Sequence, residues 1–266
     1  MSVDQKSVQA DFYYRIPLKE GEVKPSFGKN PIDPAVVRHQ PFLKNVTDAR
    51  AIKTSLDEEG FVLENHVSQV EDFYDASEVE EKYYPEIREL ARRITDAKAF
   101  RILGHITRNE AEAEEGKRLG AHRLVHNDFT PALMDTIRNF VKDPDHLQGR
   151  IAIFNVWRRF DTGLSHAPLA VCDSRSISRQ DLLPTDLHNY GGRTEFQLEI
   201  YQSMNSEEHR WFYYPQMTRD EVLVFRTFDT AMDPFVPTLH SAFDHPDCPV
   251  DIPTRESIET RVLCFY

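Results

Sequence analysis

The sequence has few cysteines, no basic run and no long apolar stretch. Its three cysteines, Cys172, Cys248 and Cys264, are scattered along 266 residues and match no zinc-binding spacing. We therefore expect reduced thiols, as in a cytoplasmic protein. The N-terminus lacks the basic-then-apolar pattern of a signal peptide, and no apolar stretch approaches the length of a membrane span. The sequence predicts a soluble intracellular protein.

Acidic residues outnumber basic ones, which argues against polyanionic partners. The formal net charge is -12, with 44 Asp and Glu against 32 Lys and Arg. Nucleic acids and anionic membranes are bound through clustered Lys and Arg, and no such cluster is present. We expect neither as a partner. A small molecule is the expected partner, and a homodimer stays open.

The chain is apolar enough for a sizeable core, and its character changes near residue 99. Hydrophobic residues make up 40% and aromatic residues 11%. Residues 1–45, rich in Pro and polar residues, are predicted to form an extended arm with little regular structure, packed on the body. Residues 46–266 are predicted to form a single catalytic domain. Its helical front, 46–98, has one predicted helix over 47–60 and a second that kinks at Pro85.

From residue 99 onward, short β-like runs follow one another at close spacing. "EFQLEI" alternates cleanly, so Phe196, Leu198 and Ile200 should share a face. Turn residues separate most of the runs. This pattern predicts a mainly β protein with flanking helices, either a β-sandwich or a barrel backed by the helical front. The runs are "AFRILGHIT", "RIAIFNVW", "APLAVCD", "EFQLEIYQ", "HRWFYYP", "EVLVFRTF", "PTLHSAF" and "SIETRVLCFY".

A His-x-Asp pair in the segment "HRLVHNDFTP" offers two metal ligands. His126 and Asp128 are two residues apart, so on an extended segment their side chains point the same way. Two imidazoles and one carboxylate form the facial triad of non-haem iron(II) enzymes. A second pair, His245 and Asp247, has no histidine after it, whereas the first can recruit His240 from a later strand. A turn histidine, a helix-start aspartate and a core histidine remain the alternative interpretations.

A second set of residues past His240 is typical of a carboxylate clamp. Arg255 and Ser257 share one strand face, and together they can hold a carboxylate by an ionic pair and a hydroxyl donor. Arg261 has the same parity and is a rival for this role. Glu259, two residues away, could instead neutralise Arg261 as a structural ion pair. We therefore predict that Arg255 and Ser257 form the clamp, although an isolated arginine is most often a surface charge.

Several motifs, in order from about residue 99 to the C-terminus, carry a family resemblance. They are "VHNDFT", "FNVWRR", "PLAVCDSRSI", "HRWFYYPQMTRDEVLVFRTFD", "TLHSAFDHP" and "RESIETRVLCF". The chain resembles the iron(II)/2-oxoglutarate-dependent oxygenase-like family of fungi and bacteria. That family contains fungal gibberellin desaturase, the cephalosporin 7-methoxylation protein and the aspergillic-acid hydroxylase.

The resemblance implies a double-stranded β-helix (jelly-roll) core over residues 99–266, with iron(II), 2-oxoglutarate and molecular oxygen as cofactor and cosubstrates. His126, Asp128 and His240 match the family's metal ligands. Arg255, Ser257 and Arg261 match its cosubstrate-binding segment. One departure is that Arg159 stands where a proline usually follows "NVWR". Candidate pocket residues, for each of which core packing is the alternative, are Asn155, Trp157, Arg158, Trp211, Tyr213 and Phe228.

The expected function is oxidation of a C–H bond in a small secondary metabolite or its amino-acid-derived precursor. Hydroxylation, desaturation and oxidative cyclisation begin with the same hydrogen abstraction, so the sequence does not separate them. Two alternatives stay open. One is an iron-dependent oxidase of the same fold that does not use 2-oxoglutarate. The other is a non-catalytic β-barrel protein that binds small molecules.

Overall fold

The computed structural model describes residues 6–22, 24, 26–28, 38–161, 165–188, 197–249, 252 and 255–266. The strands are β1 (Ser7–Arg15), β2 (Ser26–Gly28), β3 (His39–Asp48), β4 (Phe61–Asn65), β5 (Ala99–Asn109), β6 (His126–Asn127), β7 (Ile151–Arg159), β8 (Leu169–Cys172), β9 (Leu182–His188), β10 (Gln197–Ser203), β11 (Trp211–Tyr213), β12 (Glu221–Asp229), β13 (His240–Ala242) and β14 (Glu256–Phe265). The helices are α1 (Tyr84–Ile94), α2 (Glu110–Glu114) and α3 (Leu133–Phe140). Ala76–Glu78 is a single α-helical turn, and single turns of other helix types are Val79–Tyr83, Pro144–Leu147, Ser174–Ser176 and Arg179–Asp181.

Two mainly antiparallel sheets enclose the core. The larger has the order β1-β3-β11-β8-β13-β6-β10-β9-β2, and the smaller has the order β4-β12-β7-β14-β5. Apolar side chains from both sheets pack together between them, for example Val171 of the larger sheet with Trp157 and Phe225 of the smaller. Two facing sheets with this strand order form a jelly roll, so the predicted double-stranded β-helix is confirmed.

The strands predicted from residue 99 onward are confirmed as β5, β7, β8, β10, β11, β12, β13 and β14. β9 was not predicted from the sequence. Leu198 and Ile200 lie on β10, whereas Phe196 is outside the described residues.

Helix α1 covers the outer face of the smaller sheet. Ile87, Leu90 and Ala91 of α1 are buried against residues such as Phe154 and Val262. The predicted kink at Pro85 falls where the π-helical turn Val79–Tyr83 gives way to α1, a position at which a missing backbone N–H is tolerated. Among the described helices, none is long and apolar enough to cross a membrane.

The predicted helix over 47–60 is wrong. Asp48 ends β3, and the following residues form turns up to Gly60, whose φ of +88° suits glycine. A side chain at Gly60 would also collide with Thr238, since an added Cβ would lie 2.2 Å from its Oγ1. The backbone N–H of Asp48 donates instead to the carbonyl oxygen of Lys6, which directly precedes β1. Pairing with a distant strand therefore overrides a weak local helical pattern.

The predicted lack of regular structure in residues 1–45 is also wrong. β1 pairs antiparallel with β3 along its whole length, and β3 pairs parallel with β11. Phe12 and Tyr14 are fully buried, while Tyr13 between them is 36% exposed, so the segment alternates as a strand does. Packing on the body is thus observed for Phe12 and Tyr14. Residues 29–37 lie outside the described residues, and the division into an arm and one domain stays a prediction.

A buried chain of hydrogen bonds joins β1 to β11. Trp211 Nε1 donates to Tyr14 Oη at 2.7 Å, and Tyr14 Oη lies 3.0 Å from His209 Nδ1. His209 Nε2 lies 3.2 Å from an Asp181 carboxylate oxygen. Because burial lowers the pKa of His209, its ring is neutral and carries one proton. The carboxylate only accepts, so Nε2 carries that proton and Nδ1 accepts from Tyr14.

We predict that Tyr14→Phe lowers the free energy of unfolding by about 1–3 kcal/mol, because Trp211 Nε1 and His209 Nδ1 lose their buried partner. Urea denaturation followed by fluorescence measures this change. Tyr13→Phe is the matched control, since it removes the same atom from a side chain that is 36% exposed. Equal stability of the two variants would contradict the prediction.

Candidate metal centre

Two histidines face each other across neighbouring strands of the larger sheet. His240 on β13 is the direct antiparallel partner of His126 on β6, so their side chains lie on the same face. Their ring centroids are 4.2 Å apart. The ring of Phe225, on the opposite sheet, lies 4.7 Å from that of His240. Both imidazoles therefore point into the space between the sheets.

Asp128 completes a group of three ligand atoms. Its Oδ1 lies 3.5 Å from His126 Nε2 and 3.8 Å from His240 Nε2. All three atoms lie within 4.8 Å of one another, and all three residues are buried. Among the described residues, this is the one group of three His, Cys, Asp or Glu side chains close enough to share a metal ion. The predicted triad is brought together.

Both histidines have the tautomer that metal binding needs. His126 Nδ1 lies 2.8 Å from the carbonyl oxygen of Leu124, and His240 Nδ1 lies 3.4 Å from that of Thr238. A carbonyl only accepts, so Nδ1 carries the proton and Nε2 keeps a free lone pair. Burial and the neighbouring His126 lower the pKa of His240 to about 3, so this imidazole is neutral. Backbone carbonyls thus orient two nitrogen donors towards Asp128 Oδ1.

The second oxygen of Asp128 is held by the smaller sheet. Asn155 Nδ2 donates to Oδ2 at 2.8 Å, and Arg261 Nε donates to the same atom at 2.7 Å. Burial alone would raise the pKa of Asp128, but the charge of Arg261 holds it well below its usual range. Arg261 Nη2 also donates to Glu259 at 2.8 Å. Asp128 is therefore an anion fixed between the two sheets.

Arg255 and Ser257 are buried without full partners. Arg255 Nη1 donates to the carbonyl of Ala167 at 2.6 Å, and its guanidinium lies 5.6 Å from the Trp157 ring centroid. Arg255 Nε and Ser257 Oγ are buried atoms with no hydrogen-bond partner. No carboxylate of the described residues forms an ion pair with Arg255, and burial lowers its pKa to about 9. Arg255 thus remains protonated at neutral pH without an ion pair to a described carboxylate, although the charges of Glu110 and Asp161 favour its protonated form.

Comparison with known proteins shows which family this chain belongs to. A family described as "Oxidoreductase/YMDC permease-like domain" matches residues 12–265. The Fe(II)/2-oxoglutarate-dependent dioxygenase nvfI of Aspergillus novofumigatus is 32% identical, over 96% of this chain and 91% of the relative. This chain belongs to the family of fungal Fe(II)/2-oxoglutarate-dependent dioxygenases. The family resemblance of the sequence is thereby confirmed.

Two further comparisons agree with membership of this dioxygenase family. The hydroxylase/desaturase efuI of Hormonema carpetanum is 31% identical, over 85% of this chain and 84% of the relative. The solved structure of the iron and alpha-ketoglutarate-dependent endoperoxidase NvfI superposes with a TM-score of 0.84 at 27% identity. That match covers 97% of this chain and 98% of the other. The jelly roll is thus shared along nearly the whole chain.

In this protein, the remaining candidate pocket residues lie in three different places: a cavity, the outer face of β7 and the apolar core. Trp157 and Tyr213 line a cavity of about 250 Å³ whose walls include none of the three triad residues. Arg158 is fully buried on the opposite face of β7, where it donates to Tyr83 and to the backbone of His66. These positions do not support a pocket wall beside the triad. Two others, Trp211 and Phe228, are part of the apolar core.

The second His-x-Asp pair lies apart from the triad. His245 Nε2 lies 3.3 Å from Tyr213 Oη, and its Nδ1 accepts from the backbone N–H of Asp247 at 3.2 Å. Both ring nitrogens are therefore engaged by the protein. The sequence analysis did not choose this pair as metal ligands. Its position agrees, because neither residue is part of the group of three.

The sequence interpretation missed two residues beside the triad. Asn127, between the two ligands, donates from Nδ2 to the carbonyls of Phe129 at 2.6 Å and Thr227 at 2.9 Å. His122 packs edge-to-face on His126, with ring centroids 4.3 Å apart. Spacing hinted at His122, four residues before His126. Nothing in the sequence indicated the bonds of Asn127, because its partners come from turn and bulge geometry.

We predict that His240→Ala weakens Mn(II) binding at least about 100-fold, more than the 10- to 100-fold typical of residues that only support ligands. The free Mn(II) signal in electron paramagnetic resonance measures the dissociation constant, and circular dichroism checks folding. His245→Ala is the matched control and should bind Mn(II) as the unaltered protein does. Loss of binding in His245→Ala with retention in His240→Ala would overturn the choice of ligands.

Proposed function

We propose that His126, Asp128 and His240 bind one iron(II), and that Arg255 and Ser257 bind the distal carboxylate of 2-oxoglutarate. The observation that carries the first part is the convergence of two Nε2 atoms and one carboxylate oxygen in a buried site. This donor set suits iron(II) with open positions for a chelating keto acid and oxygen. With both bound, the metal supplies the oxidising power that removes a hydrogen atom from an unactivated C–H bond.

The unpaired atoms of the clamp support the second part. A buried guanidinium without a counter-ion is unfavourable, and an incoming carboxylate would supply both the charge and the acceptors that Arg255 Nε and Ser257 Oγ lack. Arg261 is less suited, because Asp128 and Glu259 already accept from its guanidinium. Arg261 contacts Asp128, and Ser257 and Arg255 lie four and six residues before Arg261 along the same segment. The diacid would then extend from the metal ligands towards Arg255.

The substrate is proposed to be a small secondary metabolite or its precursor. Relatives carry the names hydroxylase/desaturase and endoperoxidase, so the outcomes that we propose are hydroxylation, desaturation or oxidative cyclisation. The residues around the triad restrict access of water, since His126 and Asp128 are each 8% exposed and His240 is 2% exposed. Exclusion of water favours hydrogen abstraction from substrate over side reactions.

The alternatives of a 2-oxoglutarate-independent oxidase and a non-catalytic binder receive less support. An intact triad argues against a binder, and a buried cationic group with free donors argues for an anionic cosubstrate. The three cysteines form no disulfide, which supports the proposal of a reducing compartment such as the cytoplasm.

We predict that Arg255→Gln raises the dissociation constant of 2-oxoglutarate at least about tenfold. Charge-assisted hydrogen bonds contribute about 1.5–3 kcal/mol each, and 1.4 kcal/mol is tenfold in affinity. The constant is measured without oxygen, with Mn(II) saturating, by calorimetry. Release of succinate from 2-oxoglutarate in the presence of iron(II) and oxygen tests turnover in the unaltered protein.

Arg261→Gln is the matched control for the clamp. At saturating Mn(II) its 2-oxoglutarate constant should change less than that of Arg255→Gln, since its described partners are Asp128 and Glu259. If only Arg261→Gln weakens 2-oxoglutarate, the two arginines exchange roles. If the unaltered protein binds Mn(II) but not 2-oxoglutarate, the oxidase alternative replaces the proposal.

A further inference from the structure

A β-bulge lies beside the triad. β12 pairs with β7 on both sides of Thr227: Arg226 is opposite Phe154, and Phe228 is opposite Ile153. Thr227 is therefore the extra residue of β12, without a partner residue on β7. A bulged residue leaves the regular ladder, so its backbone and side chain are available for other contacts.

Both free groups of Thr227 contact residues that support the triad. Its hydroxyl lies 3.0 Å from Asn155 Oδ1 and 3.3 Å from the carbonyl oxygen of Ile153, and the shorter contact is the one to Asn155. Its own carbonyl accepts from Asn127 Nδ2 at 2.9 Å. Asn127 stands between His126 and Asp128 in the chain. One fully buried residue thus holds both the segment that carries two ligands and the amide that holds Asp128.

The hydroxyl of Thr227 and the carboxylate of Asp128 together fix the orientation of the Asn155 amide. Because Asn155 Oδ1 accepts from Thr227, its Nδ2 is directed to Asp128 Oδ2. Arg261 Nε donates to the same oxygen. A carboxylate oxygen has two acceptor positions, so Oδ2 is fully used. Only Oδ1, which faces the two Nε2 atoms, is left for a metal.

We propose that Thr227 is a positioning residue that, through Asn155, restricts Asp128 to one-oxygen coordination of the metal. This inference rests on the proposed function, since it takes the triad as the metal site. A carboxylate bound through both oxygens would occupy one of the three positions that a chelating keto acid and oxygen need. Without the hydroxyl, Asn155 Oδ1 loses its donor, so only the bond to Asp128 holds the amide, and Nδ2 fixes Asp128 Oδ2 less firmly.

The test compares Thr227→Val with Thr227→Ser. Valine keeps the shape of threonine but lacks the hydroxyl, whereas serine keeps the hydroxyl and loses a buried methyl group. The dissociation constant of Mn(II) is measured by electron paramagnetic resonance, and stability by urea denaturation. We expect Thr227→Val to weaken Mn(II) binding about 10- to 100-fold, because Asp128 Oδ1 is then held less firmly towards the two Nε2 atoms. Thr227→Ser should stay within about threefold, because it keeps the donor to Asn155.

The order of the two variants separates positioning from simple packing. A merely structural role would leave valine at least as good as serine in metal affinity, and that result would overturn the inference. Asn155→Ala is a second route that leaves Thr227 in place, and it should also weaken Mn(II) binding. Unchanged affinity in both Thr227→Val and Asn155→Ala would overturn the inference too.

The His240→Ala variant tests the triad separately from the role of Thr227. If the unaltered protein binds Mn(II) and His240→Ala does not, the triad stands whatever the Thr227 variants do. If His240→Ala binds Mn(II) as tightly as the unaltered protein, the triad fails, and the inference about Thr227 falls with it.

Discussion

The two hydrogen bonds that Asp128 Oδ2 accepts connect the sheets of the jelly roll at the triad. Asp128 follows β6 of the larger sheet, whereas Asn155 and Arg261 belong to β7 and β14 of the smaller. Because side chains alternate along a strand, a one-residue slip of either sheet would turn these groups away from each other. The same holds for His126 and His240, which are direct cross-strand partners. Strand register is therefore the constraint on which the site depends.

Buried charge divides the interior into two kinds of site. Arg261, Asp128 and Glu259 form a compensated group, in which each charged side chain bonds to another. Arg255 has a backbone carbonyl and an aromatic ring but no carboxylate among the described residues. Burying an uncompensated charge costs free energy unless a ligand completes it. This contrast favours Arg255 over Arg261 as the group that meets an anionic cosubstrate.

The pair His126 and Asp128 and most strands of the core were predictable from local patterns, and His240 from its place on a later predicted strand. His126 and Asp128 share a face by their spacing, and the later strands alternate clearly. The strands β1 and β3 were not predictable from local patterns. β3 is held in the larger sheet by β11, which lies far along the chain. The Thr227 bulge is likewise a property of register between strands. The position of Arg158 could have been predicted. It is adjacent to Trp157 on β7, so its side chain points to the opposite, outer face of the strand.

A crystal structure with Mn(II) and 2-oxoglutarate, located by anomalous scattering, tests the central claim most directly. We expect one manganese bound by His126 Nε2, His240 Nε2 and only Oδ1 of Asp128. We also expect the distal carboxylate of 2-oxoglutarate to lie on Arg255. A peak beside His245, or an Asp128 that binds manganese through both oxygens, would contradict it.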